Sequence, residues 1–93
     1  MREDLIASLR KMIVNDLFVE IAENDIGLED GLRTVVGLDS VGFVDLRALC
    51  EQRFNIEISD NDYTPENFTS IRVLAELIDR LQAKRDAAAG AAR

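Results

Sequence analysis

The sequence has no histidine and no tryptophan, and it has a single cysteine. Histidine is the usual general base near neutral pH and the commonest metal ligand. Its absence removes the Ser–His and Cys–His nucleophilic systems and most zinc sites. One cysteine cannot close an intrachain disulfide. Positive charge is also scarce: 11 Lys and Arg stand against 18 Asp and Glu, a net charge of −7 with a pI near 4.4. Phosphate binding needs clustered cations, so nucleic acid is excluded as the main partner, and an anionic membrane surface with it. No apolar run approaches the roughly 18–20 residues of a membrane span. The opening segment MREDLIASLRK is charged throughout and has no signal-like apolar region. A cytoplasmic protein is expected. Apolar residues are 47% of the chain, too many for a disordered acidic tail, and 93 residues make one small domain.

What is present is helical periodicity. In residues 2–18, Ile6, Leu9, Ile13 and Leu17 recur at the helical period, with Leu5 and Met12 beside them. Glu3 and Asp4 suit the positive end of that helix's dipole. Residues 19–38 carry three glycines and no stripe, and read as a long connector with room for one short helical turn. Ile26, Leu28, Leu32 and Leu38 can pin it to a core. A second helix spans 39–54, with Asp39 as N-cap and Asn55 as its end. Ile56 and Ile58 resemble a strand, but no partner strand exists to pair with them. Thr64-Pro65-Glu66 has the N-cap, proline and acidic pattern of a short helix start. Ile71, Leu74, Ile78 and Leu81 mark the last helix, capped by Thr69 or Ser70. The domain is expected to end near residue 82, and the Ala-rich tail 83–93 is expected to fray. The fold class is all-α: three main helices plus one short one, with a long loop between the first two.

The second helix carries more than a core requires. At about 100° per residue, Phe43, Leu46, Cys50 and Phe54 fall within one core stripe. Val41, Val44, Asp45, Ala48, Glu51 and Gln52 fall on the other side, apolar first and acidic further along. Either the long loop folds over the two valines, or they form a docking surface. Ser40 opens this helix, where free N–H groups and positive potential favour an anion. With no histidine to take its proton, Ser40 is no catalytic nucleophile. It is a helix-start residue or a site modified by another enzyme. Asp60 and Asp62 do not form a calcium loop of EF-hand type, because Pro65 and Ile71 stand where glycine and glutamate are needed. Cys50 lies on the core stripe and reads as a buried thiol.

Gly37-Leu38-Asp39-Ser40-Val41, followed by Val44-Asp45-Leu46, resembles the attachment motif of acyl carrier proteins. The resemblance covers residues 5–81, including the long loop, Glu51, Phe54, the Ile56–Ile58 segment and the helix after Thr69-Ser70-Ile71. It implies a small four-helix bundle of acyl-carrier-protein type. It implies that Ser40 carries 4′-phosphopantetheine through a phosphodiester, installed from coenzyme A by a phosphopantetheinyl transferase. The arm's thiol would hold acyl, aminoacyl or related groups as thioesters. The protein itself would be a monomer and no enzyme. Asp39, Val41, Val44, Asp45 and Glu51 match the family's docking positions, facing basic patches on acyl-loading and acyl-processing enzymes.

Several residues depart from the fatty-acid-type pattern. Gly42 stands within the first turn of the helix, Phe43 is bulky, and Arg47 and Arg53 reduce the helix's acidity. The segment at Asn61–Thr64 is longer. These point toward a polyketide, peptide-type or other specialised pathway, carriers of D-alanyl, glyceryl or aminoacyl groups included. The reading of a different class is a cofactor-free helical module that binds a protein through the Val41, Val44 and Asp45 face.

Overall fold

The computed structural model describes residues 2–91 and contains three α-helices and, among those residues, no strand. Helix α1 (Glu3–Asp16) buries Leu5, Ile6, Leu9, Met12 and Ile13 of the expected stripe, while Leu17, expected to continue it, is the C-cap and half-buried. No side chain caps its start, and Glu3 and Asp4 occupy the first turn where the dipole favours them. Phe18, just beyond its end, has φ 55° and is 87% exposed. Helix α2 (Ser40–Phe54) ends at Asn55, which takes the left-handed conformation that a helix terminus commonly needs. Helix α3 (Ile71–Ala91) places Ile71, Leu74, Ala75, Leu77, Ile78 and Leu81 in the core.

The connection between α1 and α2 is ordered by its buried residues. Ile26, Leu32, Val36 and Leu38 enter the core, and Leu28 packs half-buried against it. Backbone groups that would otherwise lose water are matched locally. The Arg10 side chain donates to the Ile26 carbonyl at 2.8 Å, Leu32 N–H to Thr69 at 2.9 Å, and Arg72 N–H to Leu28 at 3.1 Å. One 3-10 turn, Glu23–Asp25, interrupts the loop.

The short helix expected after Thr64 does not form; residues 65–68 are turns. The start signal is satisfied, since Asn67 N–H donates to Thr64 Oγ1 at 3.2 Å. The turn is then closed from the other side, because Thr69 Oγ1 donates to the Pro65 and Glu66 carbonyls at 2.8 and 2.9 Å. The Pro65 carbonyl also accepts from Phe68 N–H at 3.3 Å, and a single turn of this kind gains too little to propagate. Phe68 uses the turn to enter the core. Of the two candidate caps for α3, Ser70 serves: its Oγ accepts from Val73 N–H at 3.4 Å.

Helices α2 and α3 run in the same direction. Ser40 and Thr69, near their starts, line one groove. At their other ends, Arg85 donates to the carbonyls of Phe54 and Asn55 at 2.9 and 2.8 Å. Helix α3 continues through Ala91 where a frayed tail was expected, the last two residues of that tail lying outside the described ones. Alanine is the best helix former, and Arg85 ties the extension to the unsatisfied carbonyls at the end of α2.

Candidate functional site

The start of α2 is built by three neighbouring residues. Gly37 has φ +90°, a backbone conformation that side chains of L-residues resist. Leu38 then enters the core and its N–H returns to the Leu32 carbonyl at 2.9 Å. Asp39 caps the helix, its carboxylate accepting from Gly42 N–H at 2.8 Å. A Cβ at Gly42 would stand 3.1 Å from Leu38 Cδ2 and 3.3 Å from Asp39 Oδ1. The glycine that departs from the fatty-acid-type pattern therefore lets leucine and carboxylate close over the first turn.

Ser40 is exposed at the first helical position, and its hydroxyl has no protein hydrogen-bond partner among the described residues. It lies on the margin of a groove of ≈ 410 Å³ open to solvent. The wall of the groove is aromatic, from Phe43, Tyr63 and Phe68, with Thr34, Thr64 and Thr69 contributing hydroxyls. Tyr63 meets Phe68 edge-on, ring centres 5.2 Å apart, and Arg47 stacks on Tyr63 at 4.8 Å. Arg33 stacks on Phe43 at 5.2 Å, and both line the groove.

The long loop leaves the valines open. Val41 is 69% exposed and Val44 56%. Val35, on the loop five residues before Ser40, is 52% exposed and joins them among the large exposed apolar side chains. Asp39 and Asp45 are exposed as well. Glu51, the remaining residue of the expected docking set, is half-buried, and its carboxylate accepts from Ile58 N–H at 3.0 Å. The core stripe holds in its middle, with Leu46 and Cys50 fully buried, while Phe43 and Phe54 are half-buried. Burial pushes the Cys50 thiol up to about 12, with the neighbouring Glu51 charge adding to it. A thiol held neutral in this way is a packing group.

Arg47 and Arg53 each have a carboxylate partner. Arg47 donates to the Ile58 carbonyl at 3.2 Å through Nε and pairs with Asp60 at 3.1 Å. Arg53 pairs with Asp16 at 3.3 Å. Sequence reasoning missed Val35, Arg33 and the Tyr63–Phe68 wall. The signal for Val35 was present in the neighbouring Val36, since two adjacent loop valines cannot both enter the core on one side.

The model of the phosphopantetheine attachment site family matches residues 8–81, from the second turn of α1 to Leu81, a buried residue of α3. Comparison with curated proteins gave no match. The family match covers most of the chain and takes in the whole of α2 with the loop before it. This chain therefore belongs to the phosphopantetheine attachment site family, the family of the acyl carrier proteins, whose members hold 4′-phosphopantetheine covalently on a serine.

Proposed function

We propose that Ser40 is the attachment serine and that the protein presents thioester-bound acyl, aminoacyl or related groups to a series of partner enzymes. The observation that carries this reading is the placing of an exposed serine at a capped helix start, on an open groove, with Val41 and Val44 exposed on the same helix. The residues present fit the group. A phosphodiester on Ser40 meets free N–H groups and the positive end of α2. The groove adjoining the hydroxyl has an aromatic wall and room for a flexible chain. When bound, the arm supplies a thiol that this chain's own buried Cys50 cannot supply.

The protein's own residues then have three tasks. Gly37 and Asp39 fix the backbone so that Ser40 stands clear for a transferase. Val35, Val41 and Val44 offer an apolar contact to partners. Asp39 and Asp45 offer charge to their basic patches, which raises the rate of encounter more than the final affinity. Glu51 is better assigned to holding the Ile58 segment than to docking. The departures at Gly42 and Phe43 and the longer segment before Thr64 favour a specialised pathway, of polyketide or peptide type, over primary fatty-acid synthesis. A cytoplasmic monomer without catalytic activity fits the acidic composition and the lack of histidine. Among the described residues no helix is long and apolar enough to cross a membrane.

Intact-protein mass after incubation with coenzyme A and a broad-specificity phosphopantetheinyl transferase tests the reading. A single phosphopantetheine is expected on the wild type and none on Ser40→Ala. An unmodified wild type, under conditions that load a control carrier, overturns it. Function retained by Ser40→Ala and lost in Val44→Arg would instead identify a cofactor-free interaction module.

A further inference from the structure

Arg33 is the one arginine among the described residues with neither a hydrogen bond nor an ion-pair partner. Arg2, Arg47, Arg53, Arg72, Arg80 and Arg85 each pair with a carboxylate, and Arg10 donates to the Ile26 carbonyl. In a chain of net charge −7, an unpaired exposed guanidinium stands out. It is not free in space: its Cζ lies 5.2 Å from the centre of the Phe43 ring. Phe43 is three residues beyond Ser40 on α2, so the two side chains are neighbours on one helix face. Arg33 and Ser40 also line the same groove. The ring thus holds a cation beside the serine, with its donors still unused.

We infer that Arg33 binds the phosphodiester carried by Ser40 and so sets the arm across the aromatic wall of Phe43, Tyr63 and Phe68. The inference rests on Ser40 being the attachment site. A guanidinium presents five donors in a planar fork suited to phosphate oxygens, and stacking on an aromatic face leaves that fork available. The phosphodiester is present in every holo molecule whatever the cargo. It therefore meets Arg33 at a fixed high effective concentration. A carboxylated cargo at the far end of the arm is the other anion that could reach the groove, and it is present only in particular loaded states. Arg33 acts on the arm's position and takes no part in any bond change. Its loop location follows from Gly31, whose carbonyl accepts from both Val35 and Val36 at 2.9 and 3.1 Å and so fixes the turn carrying Arg33.

The test compares the apo and holo proteins by NMR, with arginine labelled by nitrogen-15, after mass spectrometry has established single modification of Ser40. The expected result is a shifted, slowly exchanging Arg33 Nε–H in the holo form, with nuclear Overhauser contacts between the arm's methyl groups and the Phe43 ring. Arg33→Met keeps an aliphatic cover on Phe43 without charge and should lose those contacts; Arg33→Lys should retain most of them. Melting temperatures of both variants should match the wild type. An Arg33 resonance unchanged between apo and holo forms, or arm contacts that survive in Arg33→Met, overturns the inference. So does a resonance that moves only when the arm is loaded with malonate. Absence of any modification at Ser40 is a separate failure, of the attachment reading itself, and removes the inference with it.

Discussion

The Glu51 carboxylate on α2 accepts the backbone N–H of Ile58 at 3.0 Å, seven residues further along the chain. Ile56 and Ile58 alternate as in a strand, and both are buried, yet among the described residues no strand lies beside them to take their N–H groups. Glu51 takes both, the Ile56 N–H on its backbone carbonyl at 3.2 Å and the Ile58 N–H on its carboxylate, and Arg47 on the same helix donates to the Ile58 carbonyl. Two side chains of α2 replace a missing sheet partner. Glu51→Ala leaves the Ile58 N–H without its acceptor, and a loss of about 1–3 kcal/mol is expected in urea denaturation. Transfer rates measured below the unfolding transition should change little. A variant that keeps its stability but loses partner transfer would return Glu51 to the docking surface.

Asp39 combines a structural and an electrostatic role that substitution can separate. Asp39→Ala removes the acceptor of Gly42 N–H and should lower stability by about 0.5–2 kcal/mol. Asp39→Asn keeps an oxygen for the cap but removes the charge. Its stability should lie near that of the wild type in the same urea titration, while its transfer from a basic partner enzyme slows. Equal stability of the alanine and asparagine variants would show that the cap contributes nothing.

Helices α1 and α3 were legible because each buries a stripe at the helical period, α2 because Asp39 caps it and Leu46 and Cys50 are spaced for one buried side, and the candidate site because Gly37-Leu38-Asp39-Ser40 is a continuous string. What was illegible depends on contacts distant in sequence. The start signal at Thr64-Pro65-Glu66 yields one turn only, closed by Phe68 N–H on the Pro65 carbonyl, and the buried position of Phe68 that ends it is not visible in the sequence pattern. The roles of Arg47, Arg53 and Arg85 depend on carbonyls and carboxylates that the sequence pattern does not bring near them. Glu51 lay at the correct helical angle for the docking face, but an angle does not reveal that a neighbouring loop needs an acceptor. The continuation of α3 through Ala91 follows from alanine propensity together with the Arg85 anchor; the absence of a core pattern there argued only about packing.

The exposed valines and the carboxylates beside them should separate by salt dependence. Val41→Ser and Val44→Ser replace exposed side chains without adding charge and should change stability by no more than about 0.5 kcal/mol. Both should reduce transfer at every ionic strength, because an apolar contact is only weakly screened. Asp45→Lys should slow transfer mainly at low salt, its effect fading as the Debye length falls below about 8 Å. Initial rates across a salt series with one cognate enzyme check this. An Asp45→Lys defect independent of salt would contradict a role through charge.

Cys50 gives the protein a pH dependence and a labelling selectivity from one cause. Its folded thiol is raised from 9.0 to about 12 by burial first and by the Glu51 charge second. The unfolded thiol ionises near its ordinary value, so the unfolded state alone gains that ionisation as pH rises. The contribution is fully present below about pH 9 and is lost progressively as pH climbs toward 12. Urea midpoints of the wild type should therefore fall over that interval more steeply than those of Cys50→Ala, which lacks the group. The same burial denies the thiolate to alkylating reagents, since only the ionised, accessible form reacts. Iodoacetamide at pH 8 should leave Cys50 of the folded apo protein unlabelled and modify it once urea unfolds the bundle. In the holo protein under native conditions a single label is expected, and peptide mapping should place it on the arm. Native labelling at Cys50 would mean that the core opens between Leu46 and Phe54 far more often than a fully buried side chain allows.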